Sequence, residues 1–448
     1  MHFVEVDSVW KVLSSYISFN NHIAYSILAW CSQSIFGRSE WAFRLPALLL
    51  GLASLYLFWV FVRSVLGSKI AIIATFALAI SPSHVEWSVT GRGYSGMIFF
   101  TLLSTSKYLK LLERLSYRDS LVFITASVTG IYFHLYAAFV TIVQILFLLL
   151  FVRNQLRDQR FAVSHDLPIY KESFQLLWIS LSAIILLVLI CYAPVLPNLI
   201  FTIVKKGHGT FQPFFPFTVI SELSGYTWGP LLIVSFTVFL LGLISLWKLD
   251  SKKASYFALL LLVPLGIIWI ARPIYLFARF FTYFLPYYIL LLSLGFVMLW
   301  DIAIRRYARV YRYLLCVLYI TLVASIVYRW AENSWYDVSQ HGFREAARDM
   351  AADTEQESAA CAIGSGAELF QYYSEKNIFL PYDMNQLEHI MQKYPTVKCA
   401  YFDDSGNPRE PFRYREMREF LVKNAEVKRY GYSLVFTHRT HRKEATVK

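Results

Sequence analysis

Four side chains able to hold or move charge stand within eleven positions of "SPSHVEWSVTGRGYS" (81–95): His84, Glu86, Arg92 and Tyr94. A carboxylate takes a proton, an imidazole donates or accepts one, and a guanidinium neutralises an anion. Similar groups recur along the chain: Asn20, Asn21 and His22; Arg38, Glu40 and Arg44 in "GRSEWAFRLP"; His134 in "IYFHLY"; Lys205, Lys206 and His208; and Arg272 and Arg279 in "ARPIYLFARFFTYFLP". Arg, Lys and His together suit an anionic group, which Arg grips bidentately and Lys meets as a point charge. Each residue also has a plainer reading, with Arg92 and Tyr94 as interfacial anchors, His134 as a satisfied histidine at a helix end, and Arg44 capping local carbonyls. The constellation is stronger than its members.

The elements that must position these groups are apolar. Of 448 residues, 57% are hydrophobic and 16% charged, which reads as a polytopic α-helical integral membrane protein. Ten apolar stretches run over 47–62, 70–81, 96–106, 120–133, 135–152, 176–196, 231–247, 255–271, 283–300 and 313–328. Some need flanking aromatic and small residues to reach the roughly 20 residues of a span. Every second connection is basic, as with Lys107, Lys110, Arg114 and Arg118, or Arg305, Arg306, Arg309 and Arg312. Those connections belong in the cytoplasm, so the polar groups above gather at the opposite, outer interface, where a lipid phosphate or anionic headgroup is the natural partner.

Residues 331–448 hold 16 Lys plus Arg against 18 Asp plus Glu, so the net charge of +12 arises in the membrane part. Cytoplasmic loop charge explains the basic excess, and no nucleic-acid partner is called for. Three regions follow: an external amphipathic segment (1–44), a transmembrane core (45–330) and a small soluble α/β domain (331–448) outside the cell membrane. In the first, Ile23, Ile27, Trp30 and Ser34 have helical spacing and Gly37 is a stop, predicting a helix along the outer surface. Residues 1–21 lack the basic start and apolar core of a cleavable signal. Residues 197–229, rich in aromatics, Pro and Gly, form the longest outer loop.

In the tail, helices are predicted over 342–353, 367–376, 384–394 and 414–425, and strands over 358–366, 397–404 and 432–439. Cys361 and Cys399 can pair in an oxidising compartment, while Cys31, Cys191 and Cys316 lie in or near apolar segments. The GSG at 364–366 lacks the third glycine of a dinucleotide fingerprint and reads as a structural turn. No His, Cys or carboxylate pair has preformed metal-site spacing. No cofactor is assigned, and metal dependence is left open, with a divalent cation the one class considered.

The order "FNNHIAYSIL", "FGRSEWAFRLPALLLG", "SPSHVEWSVTGRGYS", "YFHLYAAFVTIVQ", "ARFFTYFLP" and a small α/β tail resembles the membrane-embedded GT-C glycosyltransferases, the superfamily of protein O-mannosyltransferases and aminoarabinose transferases. The resemblance spans roughly residues 8–300, with "G-x-S-E-x-x-x-R-L-P" its most distinctive piece. It implies sugar transfer from a polyprenyl-phosphate donor to a glycan, lipid or protein acceptor on the outer face of the cell membrane, among membrane lipids. Arg92 and Arg279 are then expected at the phosphate, with Asn21, His22, His84, Tyr94 and His134 lining the pocket. Relatives begin with a further span and an acidic motif holding the base, which this chain starts too late to include. Glu5 and Asp7 are the expected substitutes, with Glu86 and Glu40 as alternatives. Two rival expectations stay open: a transporter or flippase of a lipid-linked anionic substrate, and an inactive, shortened partner of a full-length enzyme.

Overall fold

A computed structural model describes residues 22–159, 167–197, 199–200, 214–225, 229–271, 277–306, 313, 343–352, 358–364, 370, 378–381, 383–402, 412–430 and 433–439. They fall into two compact units, one within residues 6–330 and one within 331–448.

The first unit is helical. It opens with α1 (Ile23–Phe36) and α2 (Glu40–Leu66). The Ser39 side chain accepts from the Ala42 amide, and Glu40 lies in the first turn, where the helix dipole favours negative charge. Gly67, at φ +83°, ends α2 and admits α3 (Ser68–Ala79). Pro82 then starts α4 (Pro82–Val89), bent 59° from α3. Next come α5 (Tyr94–Glu113), α6 (Tyr117–Phe133), a 3-10 turn (Leu135–Ala137), α7 (Ala138–Gln159) and α8 (Leu167–Tyr192). The unit continues with α9 (Phe215–Ser224), α10 (Gly229–Leu249), α11 (Ser251–Ala271), a 3-10 segment (Ala278–Phe284) and α12 (Leu285–Arg306).

Five described stretches are long and apolar enough to cross a membrane: 40–66, 172–192, 229–249, 251–271 and 278–302, with the bent α3–α4 pair as a sixth. The protein is an integral membrane protein. The predicted stretches at 96–106 and 120–133 and most of 135–152 are also helical, in α5, α6 and α7, but their helices carry a polar seam. Ser104 meets Ser127 at 2.8 Å, Gln144 Nε2 donates to Ser104 at 3.1 Å, and the Tyr108 hydroxyl donates to the Gln144 carbonyl at 2.7 Å. Such bonds hold helices together where burial of apolar surface gives no drive for association. The tenth stretch, 313–328, lies outside the described residues except Tyr313.

One further expectation changes. The boundary at 44/45 falls inside α2, because Ser39 caps the helix earlier than the apolar run begins. One face of α1 packs on protein: Ile23, Ala24, Tyr25 and Ala29 are buried, the Tyr25 hydroxyl donates to the Phe43 carbonyl at 2.6 Å, and Ser32 donates to that of Ala42 at 2.6 Å. Leu28, Cys31, Ser34, Ile35 and Phe36 are exposed.

The second unit contains α13 (Phe343–Ala352), β1 (Ser358–Ile363), α14 (Met384–Lys393), β2 (Thr396–Phe402), α15 (Phe412–Asn424), β3 (Glu426–Tyr430) and β4 (Ser433–Arg439). The sheet order is β1-β2-β4-β3, with β1 parallel to β2 and β4 antiparallel to both its neighbours. Cys361 and Cys399 stand opposite each other in register and form a disulfide. Lys398 Nζ at 3.2 Å and the Tyr430 hydroxyl at 2.6 Å both donate to the Asp349 carboxylate, tying α13 to the sheet. Burial raises the pKa of Asp349, but these donors outweigh it and hold the carboxyl below its usual range. Gly364, at φ +89°, makes the turn after β1. The helix predicted over 367–376 lies outside the described residues except Phe370.

Candidate functional site

The N-terminal end of α5 is built around close backbone approach. A Cβ on Gly91 would lie 2.0 Å from the Phe43 ring, one on Gly93 2.5 Å from the Phe133 carbonyl oxygen, and one on Gly96 2.2 Å from the Phe133 ring. The "GRGYSG" run therefore lets the end of α6 and the start of α1 press against α5. That contact joins residues far apart in sequence. His22 caps α1, His134 caps α6, and Tyr94 opens α5.

The three rings touch one another. His22 and His134 have centroids 5.0 Å apart, His22 and Tyr94 5.2 Å, and Tyr94 and His134 5.1 Å. Trp87 of α4 packs on Tyr94 at 4.1 Å, while Tyr136 and Phe280, 4.5 Å from each other, close the far side against His134. His22 Nδ1 meets the Phe133 carbonyl oxygen at 3.0 Å, and His134 Nδ1 accepts from the Tyr136 amide at 3.2 Å. His22 Nε2, His134 Nε2, the Tyr94 hydroxyl and Arg279 Nε are buried without a hydrogen-bond partner. A buried polar atom left unpaired costs about 1–3 kcal/mol, a cost that functional sites retain.

Two guanidinium groups bear on this nest. Arg92, on the turn between α4 and α5, is exposed, and its amide donates to the Thr90 carbonyl at 2.7 Å. Arg279, in the 3-10 segment, lies over the Phe277 ring at 4.2 Å. Their charges act on each other, on Tyr94 and on His22. Burial, more than this charge, keeps both imidazoles neutral: it lowers His22 to about 4 and His134 well below the ordinary histidine value.

Carboxylates face the pair. Glu86 acts on Arg92, and Glu222 of α9 acts on Tyr94. Ser83 of α4 donates to the Glu222 backbone carbonyl, and Phe215 packs on Phe281 at 5.9 Å, so α9 is docked onto α4 and the 3-10 segment. Glu222 is a group that sequence reasoning missed. It lay within the stretch 197–229 read as a loop, where Pro, Gly and aromatic residues hid a ten-residue helix.

His22, Arg92, Tyr94, His134 and Arg279 are thus brought together, with Glu86 beside Arg92. His84 is not among them. Four residues from Ser88 on α4, it turns toward α2, where its Nε2 meets Ser54 Oγ at 2.9 Å in a buried contact. Glu40 and Arg44 form an ion pair one turn apart on α2. Glu5, Asp7, Asn20, Asn21, Lys205, Lys206, His208 and Arg272 lie outside the described residues. Among the described residues, no group of three His, Cys, Asp or Glu is placed to hold a metal ion.

The site occupies one end of the helical unit. The 20 residues of α5 carry the chain about 30 Å from Tyr94 to a cluster of ion pairs. There Lys107 and Arg114 bind Asp119 at 2.6 and 3.3 Å, and Lys253 binds Asp250 and Glu113 at 2.6 and 3.4 Å.

Residues 22–164 match the family model described as dolichyl-phosphate-mannose-protein mannosyltransferase. No curated protein matches the chain in sequence. Among solved structures, apo ArnT from Cupriavidus metallidurans is similar with a TM-score of 0.57 at 12% identity, covering 94% of this chain and 88% of that one. The same protein bound to undecaprenyl phosphate gives 0.56 at 12% identity, with 92% and 87% covered. The Archaeoglobus fulgidus oligosaccharyltransferase tethered to an acceptor peptide gives 0.52 at 12% identity, with 84% and 60% covered.

Proposed function

We propose that the chain is a membrane-embedded glycosyltransferase of the GT-C type, moving a sugar from a polyprenyl-phosphate donor to an acceptor hydroxyl at the outer face of the membrane; the family-model match over residues 22–164 and the fold shared with ArnT support this reading. The observation that carries this reading is the convergence of Arg92 and Arg279 on Tyr94 at one end of the helical unit. Two guanidinium charges beside a buried phenol suit one phosphate group, and a relative of the same fold is solved with undecaprenyl phosphate.

In the reaction, the bond between the anomeric carbon and the phosphate oxygen breaks, and the electron pair leaves with the polyprenyl phosphate. Arg92 and Arg279 offset the charge that grows on that oxygen, so no strong acid is needed. The acceptor oxygen bonds to the anomeric carbon, and its proton passes to a carboxylate. Glu86 and Glu222 are the described carboxylates bearing on the arginine and tyrosine groups, and Glu5 and Asp7 stay in the proposal as residues outside the described set.

Two observations support the outer face. The ion-pair cluster at the other end of α5 contains Lys107 and Arg114, cations of a connection read as cytoplasmic. The Cys361–Cys399 disulfide suits an oxidising compartment for the tail domain.

The test is transfer of radiolabel from polyprenyl-phosphate sugars to candidate acceptors by the purified full chain. Arg92→Ala and Arg279→Ala are each expected to lose about 100-fold in turnover, the usual effect of removing one preorganised charge stabiliser. Unchanged turnover in both variants refutes the phosphate assignment.

A further inference from the structure

Resting on that reading, we propose that His22 and His134 form a complementary pair that reads two neighbouring hydroxyl groups of the donor sugar, one accepting and one donating a hydrogen bond. Each ring has one nitrogen already committed to a backbone group. The Phe133 carbonyl oxygen beside His22 Nδ1 can only accept, so that nitrogen carries the hydrogen. In a neutral ring, His22 Nε2 is then a bare lone pair. The Tyr136 amide, by contrast, can only donate, so His134 Nδ1 is the bare nitrogen and His134 Nε2 carries the hydrogen. Two adjacent histidines thus hold opposite tautomers, fixed by backbone groups at the same helix end.

The remaining nitrogens have no partner in the protein, whereas the Tyr94 hydroxyl lies under the charges of Arg92 and Arg279. The two nitrogens offer an acceptor and a donor. A phosphate oxygen at neutral pH satisfies only the donor, and the His22 lone pair disfavours it. Hydroxyl groups satisfy both. The surrounding walls are aromatic, with Trp87 packed against Tyr94 and Tyr136 against Phe280. The anion is left to Arg92 and Arg279. Both nitrogens are covered by the surrounding rings.

The experiment measures binding of undecaprenyl phosphate, undecaprenyl-phosphate mannose and undecaprenyl-phosphate glucose to the full chain in lipid nanodiscs. The wild-type protein is expected to prefer one sugar-bearing lipid over the bare lipid phosphate by at least ~10-fold, the scale of one or two net hydrogen bonds. His22→Phe and His134→Phe are each expected to abolish the preference of the wild-type protein for the sugar-bearing lipid over the bare lipid. His134→Gln, which keeps a donor, is expected to recover part of it. Phenylalanine variants that keep the preference overturn the pairing and leave the phosphate reading intact, as does a wild-type protein that binds bare lipid without preferring either sugar. A wild-type protein that binds none of the three overturns both. Should a phenylalanine variant fail to fold, histidine nitrogen NMR on the wild-type protein decides. The sugar-bearing lipid, but not the bare one, is expected to shift the Nε2 signals of both rings, and signals that do not move overturn the proposal.

Discussion

Replacing Gly93 by alanine tests whether the nest is as tightly built as described. Gly93 has φ −73° and ψ 0°, a conformation open to any residue, so the substitution carries little backbone penalty and acts through volume alone. The new Cβ would sit 2.5 Å from the Phe133 carbonyl oxygen and 3.0 Å from both Cβ and Nδ1 of His22. The oxygen belongs to the last turn of α6 and cannot swing aside as a side-chain tip can. Reaching an ordinary contact requires a shift of somewhat under 1 Å, against an overpacking cost of about 1–3 kcal/mol. The same shift stretches the His22–Phe133 hydrogen bond, worth about another 1 kcal/mol. A total of about 2–4 kcal/mol is expected in stability. Because displacements near 1 Å in a positioned site cost about 100-fold in rate, turnover should fall by that order. Thermal unfolding in detergent, turnover and the histidine nitrogen spectrum report the three effects separately. Gly266→Ala is the control, since nothing lies within 4 Å of its added carbon. If Gly93→Ala melts, turns over and titrates like Gly266→Ala, the close approach of α1, α5 and α6 does not exist as described.

Two further outcomes follow from the same structure. His22 is held near 4 against an ordinary 6.5, so below pH 6.5 the unfolded chain takes a proton that the folded ring refuses. Its contribution is complete above about 6.5 and falls by about 3 kcal/mol as the pH drops toward 4, so the melting temperature should decline over that window and decline less in His22→Gln. In the packing of α10 on α12, a Cβ on Gly242 would lie 1.8 Å from the Leu291 carbonyl oxygen, and one on Gly295 2.0 Å from that of Val238. Gly242→Leu should therefore lose about 3 kcal/mol or more and show as reduced monodisperse recovery on gel filtration, whereas Gly266→Leu should not.

The sequence made some of this legible for physical reasons. Apolar length predicted helices through residue 300, and Gly37 marked an end that holds. Periodicity placed α13, α14, α15, β1, β2 and β4 to within a few residues. It missed β3, "EVKRY", because a mostly exposed edge strand has no buried face to impose alternation. The site was legible as a set of residue types, and less so as geometry. His84 and Tyr94 share one polar run, yet the turn through "GRG" sends them to different neighbours, a fact that spacing along the chain does not carry. The contact of His22 with His134 joins positions 112 apart and depends on glycines whose role shows only once the Phe133 carbonyl lies beside them.

One consequence of the Cys361–Cys399 cross-link concerns damage rather than assembly. The bond closes a loop of 38 positions that contains α14. Chain-entropy reasoning gives such a closure about 4 kcal/mol. A protease that nicks the backbone anywhere inside that loop leaves two pieces still covalently joined between β1, at the sheet edge, and β2. The severed domain can then keep β1 beside β2 until a reductant arrives, so reducing conditions, rather than the cut itself, would set its lifetime.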